Sequence, residues 1–587
     1  MEKPSPMSWS PAQQQVINYT GSSLLIGAPG TGKTSILLAQ AEALKRAGHK
    51  VALATFAFRS QQYLKTLASP ALQTLWPQLA TGTLRDLAIQ QLLVAGQSFS
   101  FASNNQVREI LRALIPAHSF PGTLEDAEHI IRATKARAKK LPEADRHYTF
   151  VQAYQARLEE LGLADRHDII RRHVLGMRDG SVPPLSVSHL LLDNVQDATE
   201  LQLIWLQEHL AHGITLKITG DDDVTSFGPD GAQGEAALTT LESWPDITRF
   251  NLAESYRVPQ ALAPAIGKVA RQLRSRVAKG LESLNPAPAA IRAEVFPNAP
   301  AEHAFLAETC LELARKGQSV GLITRTHFEA ALITHALRRH NLNPASFARL
   351  IWEEPTPQVV LSLLYLMLGQ GSNGHLHLVM LGFGIPPQTV ATLFQLGLSA
   401  EAWATGGYQL PPMPNESPTT VAAVQQLRRA LRTASQLLRN PSEAMNPRSV
   451  FKALVAELLP HLPESEHASA LLATDMLLGL SGKLTEVLPR VRTETLPDMT
   501  SPITVVPVRE ARNQQFHSVI IPYASAGNWP RQPSLLLGAE PDHERRLFYM
   551  AATRTQSNLI LTRHTPEASP FVLELQQSLK QQARKTS

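Results

Sequence analysis

The sequence predicts an α/β protein with two parallel-sheet cores, each interrupted by a helical insertion. Residues 22–85 alternate short apolar runs with helical stretches, and this strand–helix–strand order predicts a parallel sheet with right-handed crossovers. The strand-like runs stop at a helical block, restart after it, and repeat this arrangement in the second half of the chain. At about 150 residues per unit, a chain of 587 residues has room for roughly four structural units.

The first core is predicted from four apolar runs. Residues 24–30 (LLIGAPG) predict a strand and a glycine-rich turn, residues 35–49 predict a helix, and residues 51–58 (VALATFAF) predict the next strand. Two further strands are predicted at 189–197 (HLLLDNVQD) and 216–223 (LKITGDDD), and both runs continue into acidic residues. Ligands of open α/β sheets bind at the carboxyl ends of the strands, so these acids mark the predicted site.

The second core is predicted to start near residue 290. Its strands are expected at 319–326 (SVGLITRT), 503–508 (ITVVPV) and 517–524 (HSVIIPYA), with a helix-rich, proline-punctuated segment after the first of them. We place the first core at 1–85 and 176–288, with its insertion at 86–175. The second core is placed at 289–351 and 495–587, with its insertion at 352–494.

Composition narrows the class of protein. Apolar residues make up 43% and charged residues 18%, which is typical of a globular chain rather than a disordered one or a coiled coil. The net charge of +5 permits a polyanionic partner without requiring one. A single cysteine, Cys310, excludes a disulfide framework and a cysteine-built zinc site, and fits the reducing cytoplasm. No apolar run reaches about 18 residues and the N-terminus lacks an apolar signal segment, so no membrane partner is expected.

A phosphate-binding loop is the most specific motif. The run GAPGTGKT fits G-x-x-x-x-G-K-[ST] and lies between a predicted strand and a predicted helix, as the motif requires. Gly27, Gly30 and Gly32 allow backbone N–H groups to close around phosphate oxygens at the start of the helix. Lys33 supplies a positive charge to the β- and γ-phosphates, and Thr34 supplies a hydroxyl ligand for Mg²⁺. The loop therefore predicts ATP and Mg²⁺ as cofactors.

The second metal ligand is expected at the end of a neighbouring strand. Asp193 follows the apolar run at 189–192 and is the candidate. The next residue is Asn194, where P-loop ATPases of this type usually have a glutamate that activates the attacking water. An amide orients water but cannot accept its proton at neutral pH, and loss of a positioned base typically costs about 10²–10⁴ in rate. If no other acid substitutes, Asn194→Glu should raise turnover.

The ordered motifs of the chain resemble those of the UvrD/Rep/PcrA branch of superfamily 1 DNA helicases, nearly from end to end. In the first core the matching segments are 9–13 (WSPAQ, Q-motif), 55–59 (TFAFR, motif Ia), 81–85 (TGTLR, for G-T-F-H), 193–197 (DNVQD, for D-E-x-x-D), 220–228 (GDDDVTSFG, motif III) and 254–257 (ESYR, motif IV). Further along they are 319–326, whose Arg325 matches, 352–368 and 384–394 in the second helical subdomain, and 544–549 (ERRLFY) with 552–555 (ATRT) for motif VI.

This resemblance implies RecA-like cores with ATP between them. Gln13 would read the adenine, and Lys33, Asp193, Arg257 and Arg554 would form the catalytic set, the two arginines reaching the γ-phosphate. The cleft would close on ATP and reopen after hydrolysis.

The DNA-binding side is also implied by the resemblance. Phe56, Arg59, Arg85 and Phe227 match positions at or near the family's single-strand path. Alternating closure would then move the protein 3′ to 5′ along single-stranded or partly duplex DNA, as an ATP-dependent helicase in repair, recombination or related processing, with a protein partner. For Phe56 plain core packing is the alternative, and for the basic stretch at 132–140 a solvated helix face.

Several motifs depart from the family pattern. Besides Asn194, Val224 replaces the motif III glutamine, and Pro229 and Asp230 stand where an aromatic residue and an arginine are usual. Motif V is found as PVREARNQQF at 507–516, without its glycine and glutamate. Pro229 and Asp230 would remove a stacking platform and add a negative charge beside the DNA.

Two classes of function stay open at this point. In the first, the protein is a working, slow translocase in which another acid, Asp197 or one of residues 221–223, replaces the missing glutamate. In the second, it is a catalytically impaired helicase-like protein that binds ATP and DNA as a switch or scaffold for a partner. A small-molecule kinase is disfavoured because it would not need both Arg257 and Arg554.

Overall fold

The computed structural model describes residues 9–122, 124–347, 351–405, 408–413, 416–439, 446–480, 482–491, 499–531 and 541–586. The side chain of Arg59 lies outside the described set. The chain divides into two compact units: the first takes in residues 1–305, 312–325 and 508–587, and the second takes in 306–311 and 326–507.

The strands of the described residues are short, as is usual for α/β proteins. In chain order they are β1 Ser23–Gly27, β2 Val51–Thr55, β3 Ala80–Thr83, β4 His189–Leu192, β5 Thr215–Gly220, β6 Thr248–Leu252, β7 Glu254–Pro259, β8 Glu282–Asn285, β9 Ile291–Val295, β10 Val320–Thr324, β11 Ala345–Ser346, β12 Ile503–Pro507, β13 Phe516–Ile521 and β14 Thr555–Arg563.

Helices fill most of the rest. They are α1 Pro11–Asn18, α2 Lys33–Arg46, α3 Phe58–Leu67, α4 Pro70–Leu75, α5 Leu84–Val94, α6 Asn104–Ala117, α7 Leu124–Lys135, α8 Tyr148–Glu160, α9 Ile169–Asp179, α10 Glu200–Ala211, α11 Glu235–Glu242, α12 Ala263–Arg271, α13 Ala299–Arg315, α14 His327–Arg339, α15 Pro355–Met367, α16 Asn373–Gly382, α17 Pro387–Gln395, α18 Ala400–Thr405, α19 Pro418–Arg439, α20 Pro447–Leu458, α21 Glu464–Gly479, α22 Leu484–Val487, α23 Pro541–Ala552 and α24 Pro570–Thr586.

The first unit contains a six-stranded sheet in the order β3-β2-β4-β5-β1-β6, and every neighbouring pair is parallel. Every residue of β1, β2 and β4 is buried, because helices cover both faces of a parallel sheet. One face packs Leu190, Leu192 and Trp205 into a large cluster, and the other packs Leu53 and Leu191. The carboxyl end of β5 therefore lies between the ends of β1 and β4.

Helices α5 to α9 separate β3 from β4 in the chain. Helices α6, α7 and α8 build a small core of their own around Leu111, Phe120, Phe150, Tyr154 and Leu158. Phe120 and Phe150 stack with their ring centroids 4.5 Å apart. This helical part thus has an apolar core separate from that of the sheet.

The first unit also holds four parallel strands from the second half of the chain, in the order β10-β13-β14-β9. Their inner residues, such as Leu322, Val519, Ile520 and Leu561, are buried. Together with the first sheet, these strands confirm the predicted α/β class with two RecA-like, parallel-sheet cores.

The second unit is mainly helical. Strands β11 and β12 pair in parallel, with Ala345 opposite Thr504. Helices α15 to α22 surround one large apolar cluster that includes Trp352, Leu364, Phe383 and Phe451, and none of the described residues between 355 and 491 belongs to a strand. Among the residues that the structure describes, no helix is both long enough and apolar enough to cross a membrane.

Candidate nucleotide-binding site

The loop between β1 and α2 has the geometry that its glycines permit. Gly30 and Gly32 adopt left-handed φ values of 84° and 90°, which L side chains rarely take. A Cβ atom on Gly30 would lie 2.6 Å from Cβ of Arg257, and one on Gly32 would lie 2.7 Å from Nε2 of Gln13. A Cβ on Gly27 would lie 2.6 Å from the Thr31 hydroxyl. Gly30 and Gly32 therefore let other elements of the site approach the loop, and Gly27 leaves room for the Thr31 side chain within it.

Gln13 is one of these neighbours. It lies in the first turn of α1, where its Oε1 accepts a hydrogen bond from Ser10 N at 3.0 Å and closes a capping box. Its Nε2 donates to the Thr31 carbonyl at 3.1 Å. The predicted adenine-reading residue is thus held directly against the phosphate loop.

Lys33 begins α2 and folds back into the loop. Its Nζ donates to the carbonyls of Gly27 at 2.6 Å and Ala28 at 2.9 Å, and lies 3.7 Å from an Asp221 carboxylate oxygen. Burial lowers the pKa of Lys33, and the charge of Asp221 opposes that effect. The ammonium group therefore lies inside the loop that would receive the phosphates.

Thr34 and Asp193 lie together, as predicted for a metal site. The Thr34 hydroxyl is 3.2 Å from each Asp193 carboxylate oxygen, and the Thr219 hydroxyl donates to Asp193 Oδ1 at 2.6 Å. Burial raises the pKa of Asp193, while the Thr219 hydrogen bond lowers it. A carboxylate and a hydroxyl at the edge of a phosphate loop are the oxygen ligands that Mg²⁺ prefers, so these residues fit that ion.

Two asparagines cover Asp193. Asn194 Nδ2 donates to Asp193 Oδ2 at 2.8 Å and to Asn513 Oδ1 at 3.3 Å, and Asn513 Nδ2 donates to the same Asp193 oxygen at 3.3 Å. Asn513 stands where motif V usually has its glycine, and its φ of 64° is left-handed. The departures in two separate motifs therefore meet at the metal-binding carboxylate. Sequence reasoning noted both losses but missed this contact.

Arg257 on β7 lies against the loop, and Arg554, which follows α23 in the second core, lies near enough to Arg257 and Asp221 for their charges to act on it. The Ser255 hydroxyl donates to the Pro29 carbonyl at 2.8 Å, which fixes β7 against the loop. Arg554 Nε donates to the Met550 carbonyl at 3.0 Å, and among the described residues Arg257 Nε has no hydrogen-bond partner. Burial, and then the neighbouring Arg257 charge, lower the pKa of Arg554 to about 9. Two like charges held together in this way favour an anion between them.

Tyr63 on α3 is a further neighbour that sequence reasoning missed. Burial raises the pKa of its phenol, and the charges of Arg257 and Arg554 act in the opposite direction. No motif marks this tyrosine, because its proximity to the arginines arises only from the packing of α3 on the sheet.

Three of the four candidate substitute acids already have strong partners. Asp197 pairs with Arg512 at 2.8 Å and accepts from the backbone N–H groups of Ser226 and Phe227. Asp222 accepts from Val277 N at 2.8 Å and from Lys279, and Asp223 accepts two hydrogen bonds from Arg276. Lys279 and Arg276 lie outside every motif, and sequence reasoning missed them.

Asp221 differs from the other acids. Both of its carboxylate oxygens are buried, and among the described residues neither accepts a hydrogen bond. Its charge is balanced by Lys279 at 3.3 Å and Lys33 at 3.7 Å. Burial raises the pKa of Asp221 against the effect of these two cations.

The predicted DNA-binding residues lie in different local environments. Phe56 is half-buried and packs against the apolar cluster that contains Leu190, Leu192 and Trp205, which agrees with the core-packing alternative. The Phe227 ring lies 4.8 Å from the Arg512 guanidinium. Arg85 is half-buried, and burial lowers its pKa. The side chain of Arg59 lies outside the described residues, so its assignment stays a prediction.

Several charges near the predicted DNA path are already paired. Asp230 binds His129 at 2.7 Å and Arg132 at 3.0 Å. Burial opposes ionisation of Asp230, but the His129 hydrogen bond and the Arg132 charge lower its pKa overall. Lys135 pairs with Asp168 at 2.6 Å. Part of the basic stretch at 132–140 thus holds the fold together, and the charge of Asp230 is neutralised.

Comparison with known proteins agrees with a nucleotide-binding site at this position. The sequence profile of a family described as an AAA domain matches residues 12–228. The ATP-dependent DNA helicase srs2 of Schizosaccharomyces pombe is 22% identical over 301 residues, or 44% of this chain and 34% of that protein. DNA helicase II of Escherichia coli is 26% identical over 134 residues, or 22% of this chain and 19% of that protein. The alignments thus span about a third or less of these relatives.

Among solved structures, the C-terminal domain of a possible DNA helicase from Lactobacillus plantarum WCFS1 is 12% identical, with a TM-score of 0.23, over 55% of this chain and 96% of that one. A likeness of that size carries no argument. The fold and the site define a P-loop nucleotide-binding protein with two RecA-like cores. The sequence matches confirm, in addition, its resemblance to the UvrD-like superfamily 1 helicases.

Proposed function

We propose that the protein is an ATP-dependent DNA translocase or helicase of the UvrD-like type, moving 3′ to 5′ on single-stranded or partly duplex DNA. The observation that carries this proposal is that Lys33 and Arg257 lie at the phosphate loop, and that Arg554 of the second core lies near enough to Arg257 for their charges to interact. A nucleotide-driven cleft needs positive groups from both cores near one phosphate-binding position.

Nucleotide binding would use the loop and its neighbours. The loop's N–H groups and Lys33 would hold the phosphates, and Gln13 would face the base. Thr34 and Asp193 would hold Mg²⁺, which neutralises phosphate charge when bound. Asn194 and Asn513 would exchange their hydrogen bonds to Asp193 for bonds to water or phosphate oxygen.

The mechanical step follows from the two arginines. Arg257 belongs to the first core and Arg554 to the second, so a γ-phosphate between them favours the closed cleft. Loss of that phosphate leaves two guanidinium groups that repel each other, and the cleft reopens. Single-stranded DNA bound across both cores would advance with each cycle.

The biological setting is proposed on the resemblance alone. It comprises DNA repair, recombination or related processing in the cytoplasm, together with a protein partner. The division of the chain into two cores and two helical insertions, with boundaries after residues 85, 175, 288, 351 and 494, is also part of the proposal.

The alternative, a switch or scaffold that binds ATP and DNA without productive turnover, is favoured by one observation. Asn194 places an amide where the family has a carboxylate, and the side chains of Asn194 and Asn513 both donate to Asp193. The scaffold would use the same nucleotide site as the translocase and would differ from it only in lacking productive ATP hydrolysis.

A translocation assay tests the main proposal. Streptavidin is placed on one biotinylated end of a single-stranded oligonucleotide, and its ATP-driven release is followed. We expect release from the 5′ end, slower release from the 3′ end, and none with Lys33→Ala. Release from neither end, with ATP and DNA both bound, would support the scaffold instead.

A further inference from the structure

The end of β5 occupies a central place in the nucleotide site. In the sheet, β5 lies between β4, which ends at the metal-binding Asp193, and β1, which leads into the phosphate loop. Gly220 pairs with Ile26, and Ile218 pairs with Leu192. Asp221, the next residue after β5, therefore leaves the sheet between the two halves of the site.

The side chain of Asp221 is held in place yet retains free acceptor capacity. Its own backbone N–H donates to Gln196 Oε1 at 3.0 Å, which fixes the main chain at this point. The residue is 1% exposed, and neither carboxylate oxygen accepts a hydrogen bond from any described residue. Buried carboxylates normally have such partners, so an acceptor of this kind points to a donor supplied by a ligand.

The position of Lys33 indicates which ligand would supply this hydrogen-bond donor. Lys33 Nζ is the group that contacts the β- and γ-phosphates in a P-loop protein, and it lies 3.7 Å from Asp221. A water molecule beside the γ-phosphate would therefore come within hydrogen-bond reach of Asp221. The other acids are occupied: Asp197 by Arg512, and Asp223 by Arg276.

We propose that Asp221 is the catalytic base of ATP hydrolysis and takes the place of the glutamate that Asn194 replaces. This inference rests on the proposed function. The water oxygen forms a bond to the γ-phosphorus while the bond from that phosphorus to the β–γ bridging oxygen breaks, and its electron pair leaves with ADP. One water proton passes to an Asp221 oxygen, and after phosphate release that proton returns to solvent.

The surrounding charges suit this role. The charged and titratable groups that act on Asp221 are Lys33 on α2, Arg554 and Tyr549 from the second core, and Asp222, Asp223 and Lys279. Lys279 and Arg276 neutralise Asp222 and Asp223, so the acidic run does not repel the nucleotide. When Lys33 moves to the phosphates, Asp221 loses one stabilising cation and becomes a stronger base.

The test compares Asp221→Asn with Asp246→Asn, the same change at an exposed aspartate of the first core. Nucleotide binding is measured with a fluorescent ATP analogue, and turnover by phosphate release with single-stranded DNA at pH 5 to 8. For Asp221→Asn we expect analogue affinity close to the wild type and a kcat lower by about 10²–10⁴-fold. Asp246→Asn should stay within about threefold of the wild type in both measurements.

The dependence of the wild-type kcat on pH is a second test, and it needs no variant. The wild-type kcat should fall about tenfold per pH unit once the base becomes protonated, with little change in analogue affinity. That acid limb should persist in Asp221→Glu, which keeps a carboxylate. If Asp221→Asn does not fold, a wild-type kcat that stays flat over the whole pH range in which the folded protein binds the analogue overturns the inference.

The two proposals fail in different ways. An active wild type with an equally active Asp221→Asn overturns only the role of Asp221. A wild type that binds the analogue but releases no phosphate overturns the proposed hydrolysis, and the role of Asp221 with it.

Discussion

Asn194 and Asn513 both adopt a left-handed backbone conformation, with φ of 69° and 64°, and their side chains meet beside Asp193. Asparagine tolerates this region better than other non-glycine residues, which explains how it replaces the motif V glycine. The same geometry works against a glutamate at position 194. It would adopt a strained φ and place a second carboxylate beside Asp193.

The variant Asn194→Glu therefore should not accelerate turnover by itself. If Asp221 accepts the proton, we expect kcat to change by no more than about threefold. In the Asp221→Asn background, however, the new carboxylate should recover at least about tenfold of the lost rate, because a base is again within reach of the water. Phosphate release of both single variants and the double variant measures this.

A large gain in the Asn194→Glu single variant would contradict the assignment of the base. It would instead support the impaired enzyme, in which no acid serves in the native site.

Motif residues of the nucleotide site could be predicted because each carries its signal locally. The loop sequence identifies Lys33 and Thr34, and an acid after an apolar run identifies Asp193. Tyr63, Arg276 and Lys279 could not be predicted in this way. Their positions depend on long-range packing, and a lone tyrosine or basic residue has no distinctive pattern in the sequence.

The strands also divide into those that could be predicted from local sequence and those that could not. Strands β1, β2 and β4 are mainly apolar runs and were predictable, as were β5, which alternates apolar and polar residues, and β10, β12 and β13. Strand β3 (ATGT) has the composition of a turn, and β14 begins with the polar run TQSN. Strand β6 lies at the sheet edge with exposed residues, so it lacks the apolar signal of a central strand.

Helix α10 should lose stability in acid because of His209. This side chain is fully buried, its Nδ1 lies 2.7 Å from the Trp205 carbonyl, and its Nε2 accepts from Leu185 N at 3.3 Å. These contacts fit the neutral ring only, and burial lowers the pKa of His209 to about 4.

The lowered pKa of His209 determines in which direction stability changes with pH. The unfolded state, with a histidine pKa near 6.5, binds the proton first, so stability is complete above about pH 6.5 and falls as pH drops toward 4. The shift corresponds to at most about 3 kcal/mol. Hydrogen–deuterium exchange over α10, corrected for intrinsic rates, should show less pH dependence in His209→Gln than in the exposed control His212→Gln. Equal pH dependence in the two variants would show that His209 is not responsible.

At the scale of the whole molecule, single-stranded DNA binding should be salt-sensitive, and weaker than in a protein that has all the family's aromatic stacking residues. Pro229 stands where the family has an aromatic ring. Pro229→Trp should restore one stacking platform, worth about 1–3 kcal/mol, or roughly 5- to 150-fold in affinity. Fluorescence anisotropy with an oligothymidylate at two salt concentrations measures the change.

The neighbouring substitution Asp230→Arg serves as the contrast. It would break the pairs with His129 and Arg132 and bring like charges together, so it should destabilise the fold rather than tighten binding. If Pro229→Trp leaves the affinity unchanged, the strand does not pass this position.

Phosphate release from ATP, with and without single-stranded DNA, tests the nucleotide-driven cleft most directly. We expect turnover that requires Mg²⁺, rises when DNA is added, and disappears in Lys33→Ala but not in Lys50→Ala, an exposed lysine of the same core. Phosphate release that is absent under all these conditions, or that persists in Lys33→Ala, would contradict an ATP-driven function of this site.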